Sequence, residues 1–222
     1  MKRVLWVVLA AASLGAPSLG SAAMIGVAGR VSTLGLGVEA AMPVAPFIGV
    51  RGGLYGFSYP YDAKHSGNDY EFDLKLLSGA LLADLKPPVF PLRATIGLIA
   101  NGNELDAKAK PGSAASYQIG GQTYTAADVG QFKGKVQFNS VAPYAGLGWG
   151  SVSGFGLGVV VDIGVMLQGS PKVSMGTTQT LPDASAQQQL EADLAQEEGE
   201  LEDDLKSFRF YPVVSLGVRF GF

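Results

Sequence analysis

From Leu157 to Leu167 every second residue is aliphatic: Leu157, Val159, Val161, Ile163, Val165 and Leu167. The positions between them read Gly158, Val160, Asp162, Gly164 and Met166. A period of two marks a strand with two unlike faces, whereas a helix would repeat near 3.6. The C-terminus repeats it, with Phe208, Phe210, Val214, Leu216, Val218, Phe220 and Phe222 set against Arg209, Tyr211, Ser215, Gly217 and Arg219. Shorter alternations run over 34–40, 48–54, 72–82 and 92–100. No segment past the first two dozen residues has the ~18 continuous apolar residues of a membrane helix.

A soluble sandwich also alternates, so length and composition must decide. The alternating segments run to about 10–15 residues, where soluble strands average ~5–6 and membrane strands need ~9–11. Glycine supplies 31 of 222 residues and charged residues only 16%, against a usual ~25% charged. The polar faces are glycine-rich with isolated charges, as a narrow interior requires. Aromatic residues such as Phe47, Tyr59, Trp149 and Phe220 cluster near strand ends, as in interfacial girdles. Only a closed barrel lets a sheet cross lipid without unpaired backbone groups. The expectation is an all-β fold: an eight-stranded antiparallel up-and-down transmembrane β-barrel.

The breaks define strands near 33–42, 46–59, 70–84, 91–106, 134–149, 155–168 and 208–222. Single-chain bacterial barrels have even counts, so a short first strand is expected at Met24–Gly29, turning near Arg30–Ser32. Short connections fall at Met42–Pro46, Leu85–Pro91 and Gly150–Gly154. Long ones fall at Pro60–Asp69, Lys110–Lys133 and Gly169–Ser207. In such barrels the long loops are external.

Lys2 and Arg3 precede an apolar run from Val4 to Ala12, and Ser21-Ala22-Ala23 offers small residues at a cleavage site. This predicts a secretory signal peptide over 1–23 and a barrel over 24–222. Its removal makes the formal charge of −3 two charges more acidic.

A Lys or Arg facing lipid at mid-membrane costs about 2–4 kcal/mol. Arg51, Lys75, Arg93, Asp162 and Arg219 are therefore expected in the lumen, with the aliphatic faces against lipid. A hairpin centred near Ala45 would set Glu39 opposite Arg51 as an ion pair, and Arg209 could join the same network. An eight-stranded interior is just wide enough for side chains to fill it.

Two loops carry their own order. Gly120-Gly121 is a good hairpin turn that would set Tyr117 opposite Tyr124, and Thr125-Ala126-Ala127-Asp128 resembles a helix N-terminus. Over 183–206 the leucines at 190, 194, 201 and 205 fall at helical spacing, with Asp183 or Ser185 as cap. This segment carries nine acidic residues and one Lys. It predicts an amphipathic acidic helix in the last external loop, resting its leucines on the barrel rim.

The absence of cysteine excludes disulfides, thiol catalysis and thiolate zinc sites. The acids of the helix lack metal-loop spacing, so no metal or cofactor is expected. His65, the one histidine, stands beside Ser66 in a polar segment without an orienting partner for catalysis. Gly146–Gly158 lacks the strand–loop–helix setting of a nucleotide fingerprint. The acidic balance disfavours nucleic acid.

The final residues, with Ser215, Gly217, Phe220 and the terminal Phe222, resemble the C-terminal assembly signal of bacterial outer-membrane barrels. The chain as a whole resembles the small Gram-negative barrels such as the OmpA transmembrane domain, OmpX and OmpW, as well as proteobacterial barrels of unassigned function. The resemblance implies residence in the bacterial outer membrane and contact with its lipid and lipopolysaccharide. It also implies handling by periplasmic chaperones and the barrel-assembly machinery. Fold does not imply function. The expected role is a non-enzymatic, monomeric barrel with a packed polar lumen, serving envelope integrity or surface interaction. A narrow channel for small solutes is the alternative, and a lipid-modifying outer-membrane enzyme using His65 the third.

Overall fold

The computed structural model describes residues 25–65, 68–87, 91–110 and 116–222; the expected signal peptide and Ser66 lie outside them. The strands are β1 (Gly26–Ser32), β2 (Gly35–Ala45), β3 (Ile48–His65), β4 (Asn68–Leu85), β5 (Leu92–Asn101), β6 (Glu104–Ala109), β7 (Ser116–Ile119), β8 (Gln122–Thr125), β9 (Phe132–Gln137), β10 (Val141–Trp149), β11 (Gly156–Leu167), β12 (Lys172–Thr177) and β13 (Phe210–Gly221). A one-turn helix α1 (Ala126–Val129), a long helix α2 (Ala184–Asp204) and a 3₁₀ turn (Leu205–Arg209) complete the described elements. No described helix is long and apolar enough to cross a membrane.

Antiparallel pairing runs β4-β3-β2-β1-β13-β11-β10-β5 and from β5 back to the second half of β4, a barrel-like ring. The start of β1, the end of β13 and the ends of β2, β4 and β10 lie at one end of it. At the other end the sheet continues beyond the ring. There β6 pairs with the first half of β4, then β9 with β6 and β12 with β9. Thus β5 leads into β6, β9 into β10 and β11 into β12, and each pair is one long strand interrupted where ring gives way to wall.

The alternation read from the sequence sets the two faces of the ring. Leu157, Val159, Ile163, Leu216 and Val218 face outward and exposed, while Val160, Asp162 and Met166 between them are buried. Soluble proteins keep large apolar patches covered; this ring exposes them on every strand.

Four expectations are corrected here. The first turn does not fall at Arg30–Ser32, because β1 runs on to Ser32 and pairs there with β2 and β13. Pro60–Asp69 is not a loop, because β3 and β4 continue to His65 and Asn68 as a hairpin. Leu34 is buried at 2% exposure in the β1–β2 turn rather than facing outward. In β4 the inward residues are the even ones, so Ala80 and Leu82 are buried while Leu77, Leu81 and Leu85 are exposed. Lys75 therefore lies on the outer face, not in the lumen. It sits above the ring, on the wall, where the outer face need not be apolar.

Candidate functional site

The ring positions six charged side chains in one buried layer. Arg30 from β1 meets Glu39 of β2 at 2.6 Å and Asp162 of β11 at 2.7 Å. Arg51 from β3 reaches Glu39 at 3.0 Å, Asp84 of β4 at 2.7 Å and Asp162 at 3.2 Å. Arg93 from β5 meets Asp162 at 2.5 Å. Three guanidinium groups face three carboxylates, so the layer is neutral. Tyr55 donates to Glu39 at 2.5 Å, Thr95 to Asp84 at 2.7 Å, and Ser215 accepts from Arg30 at 3.0 Å. Taking charges out of water costs several kcal/mol per ion unless pairing and hydrogen bonds compensate. Here each charge has at least two charged partners.

Glycines make room for these long side chains. Arg30 pairs in register with Gly37 and Gly217, and Arg93 with Gly148. A Cβ at Gly148 would stand 2.6 Å from the Arg93 guanidinium carbon and 2.7 Å from an Asp162 oxygen. One at Gly217 would stand 2.5 Å from Arg30 Cδ.

Toward the wall the lumen is filled by Leu34, Tyr55, Leu82, Ile99, Tyr144, Met166 and Val213. Between this apolar plug and the charge layer only about 20 Å³ stays open, room for a single water at most. On the other side a mouth of about 560 Å³ reaches inward to Asp84 and Arg93 past Lys86, Ser151 and Ser153.

Of the seven charges expected in one network, the structure brings together Glu39, Arg51, Arg93 and Asp162. Glu39 lies opposite Gly53 and Arg51 opposite Ala41, so the two meet diagonally rather than directly. The hairpin turns later than expected, with Ala45 opposite Ile48. Arg219 instead binds backbone carbonyls of Gly154, Phe155 and Gly156 at the β10–β11 turn. Arg209 lies over the Phe210 ring at 4.9 Å. Lys75 joins Lys135 in a lattice with Glu104 and Asp106 on the outer wall. Arg30 and Asp84 were missed. The signal for Arg30 was its place between Val27 and Val31 in an alternating segment; for Asp84 it was the parity of β4.

The C-terminal residues divide between the faces of β13. Ser215 is buried in the charge layer and Gly217 lies under Arg30, while Phe220 and Phe222 are exposed, their rings 6.3 Å apart.

The wall carries a cap on its inner side. Tyr117 stands opposite Tyr124 in the β7–β8 hairpin, and Gly120 and Gly121 take the positive φ values of 56° and 80° that its turn needs. Thr125 spends its hydroxyl on Asp128 rather than on the α1 backbone. Asp183 caps α2, accepting from the Ser185 and Ala186 amides at 2.9 Å. Leu190 and Leu194 pack on Tyr117, Ile119 and Val129, so the helix rests on hairpin and wall, not on the ring's rim.

The helix acids have a structural use. Glu198 accepts from the Met175 amide at 2.5 Å and Glu202 from the Val173 amide at 2.9 Å. One helical turn of four residues rises ~6 Å and two strand residues ~6.6 Å. The spacing i, i+4 on α2 therefore matches alternate amides on the edge of β12.

Outside the ring, charges shift as their partners dictate. Hydrogen bonds from Lys135 and Lys75 hold Glu104 below the ordinary carboxylate range. Asp106 is lowered too, because the same lysines outweigh its burial. Lys135 is raised by its bonds to Glu104 and Asp106. Burial, with its 2.6 Å bond to Asp193, pushes Tyr124 up to about 12.

No protein-family model matches the chain, and no curated protein is significantly similar to it. Solved structures that share its fold include two from one organism. CarO2 of Acinetobacter baumannii is 24% identical, with a TM-score of 0.57 over 90% of this chain and 99% of that one. CarO of the same organism is 21% identical, with a TM-score of 0.53 over 89% and 97%. At these identities the likeness is one of fold: a mostly antiparallel, barrel-like ring.

Proposed function

We propose that this chain is a closed, eight-stranded, up-and-down β-barrel of a Gram-negative outer membrane, non-enzymatic and monomeric, with a sealed lumen. Its role is in envelope integrity or surface interaction. The observation that carries the reading is the contrast between the two faces of the ring. Outside is an apolar surface with aromatic residues near its ends; inside, a neutral charge layer and an apolar plug leave about 20 Å³ free. An outward apolar face of this extent suits lipid, and the fold shared with CarO and CarO2 supports it. In this reading the wall, cap and α2 are external, and lipid and lipopolysaccharide surround the ring. The barrel-assembly machinery recognises Phe220 and Phe222, the exposed half of the C-terminal signal.

A narrow channel is the second reading. It is favoured by the mouth of about 560 Å³ that ends on Asp84 and Arg93, which would place a gate at the charge layer. Planar-bilayer conductance separates the two. Folded protein without current steps supports the sealed barrel; discrete steps that change on substituting Asp84 support the channel.

A further inference from the structure

Neither reading uses the chamber enclosed by the wall and its cap. It has a volume of about 800 Å³, within the ~300–1,000 Å³ range of ligand sites. One side is the inner face of the wall, with Tyr70, Phe72, Leu105, Phe132 and Met175; the other is α2, with Leu201 and Glu197. An aromatic ladder leads to it from the ring. Phe57, Tyr59, Tyr61 and Phe72 stack in succession at 6.3, 6.2 and 5.0 Å between ring centres. The first three rings are exposed at 45%, 54% and 39%.

Beside the uncharged Ser116 and Gln118, two charged side chains define which molecule fits the chamber. Lys135 borders it, but its ammonium lies on the outer face of the wall, committed to Glu104 at 3.0 Å and Asp106 at 3.2 Å. Glu197 is half-buried and accepts from the Gly120 amide at 3.3 Å through Oε2. Among the described residues it is in no ion pair with Lys or Arg. A neutral apolar occupant would desolvate this carboxylate without a partner, and an anion would be repelled by it. A cation would pair with it and gain from the ring faces beside it.

We propose that the chamber is a binding site for an elongated aromatic or alicyclic molecule carrying one positive charge. The flat apolar body would lie along the rings of Phe72, Tyr70 and Phe132, with the cationic end at Glu197. The site lies beyond the ring, so it does not rest on the sealed-lumen reading.

The test uses the mature protein refolded in lipid nanodiscs, with folding checked by circular dichroism. The probes are rhodamine 123, a cation, and fluorescein, an anion on the same xanthene frame, read by fluorescence anisotropy against empty nanodiscs. Saturable 1:1 binding of rhodamine 123 alone is expected, weakened about tenfold by E197Q and weakened also by L201W, which narrows the chamber. No saturable binding, equal binding of fluorescein, or an unchanged affinity in E197Q overturns the proposal. If L201W does not fold, E197Q, nearly isosteric with the native residue, still decides. Because conductance is a separate readout, failure here and failure of the barrel reading are distinguishable.

Discussion

Arg51 and Asp162 stand four strands apart in either direction around the ring, on opposite walls, yet their side chains meet at 3.2 Å. Together with the Arg51 bonds to Glu39 and Asp84, this contact spans the lumen from side to side. The charge layer is therefore a cross-brace of the ring.

Removing Arg51 leaves three buried carboxylates short of a partner. R51A is expected to cost about 3–5 kcal/mol in urea unfolding from lipid vesicles. The double variant R51A/D162A is expected to lose less than the sum of the single changes, since a shared interaction is counted twice. Strict additivity would mean that the two residues do not brace each other.

The glycines opposite the arginines should not tolerate a methyl group. G148A drives a Cβ into the Arg93–Asp162 contact, and overpacking of this kind costs about 1–3 kcal/mol. G176A, where nothing lies within 4 Å of the added Cβ, is the matched control, with a small expected change.

Most of the ring was legible because its alternation is driven by one solvent boundary along its whole length. The Tyr117–Tyr124 pairing and the Asp183 cap were legible for the same local reason: turn and cap chemistry is written in adjacent residues. The wall was not. Pro60 and the polar residues after it read as a loop, but proline is tolerated on a sheet edge, and β3 has no partner beyond Gly56 on its β2 side. Lys75 was misplaced because the rule that hides charges from lipid stops applying where the strand leaves the ring. Arg30 escaped notice because the first turn was expected there, whereas β1 runs on to Ser32, and Asp84 because the even face of β4, expected against lipid, is the buried one.

The carboxylates of α2 should matter to β12 more than to the helix. E198A/E202A frees the Met175 and Val173 amides, and their hydrogen exchange should accelerate by at least about tenfold, the worth of one or two such bonds. Exchange in β10 and β11 should not change. Unaltered protection at Val173 and Met175 would show that the edge is covered by something other than these two side chains.

The outer lattice predicts a pH window. Glu104 and Asp106 have folded pKa values below their unfolded ~4.3 and ~3.9, so their contribution is full above those values and is lost as pH falls through the folded ones. Lys135 is raised, so its contribution is full below ~10.4 and disappears as pH rises through the folded value. Exchange at Leu105 and Val136, corrected for its intrinsic pH dependence, should be flat from about pH 5 to 10 and accelerate below about pH 4. Acceleration centred near neutrality would contradict the assignment.

A nitroxide scan along β11 tests the central claim most directly, and the cysteine-free chain allows a single label at each position from 157 to 167. In lipid vesicles, labels at the odd positions should collide with oxygen and those at the even positions with neither oxygen nor a water-soluble nickel complex. Nickel access at the even positions would reveal an open aqueous lumen, and nickel access at the odd ones would mean that this face does not meet lipid.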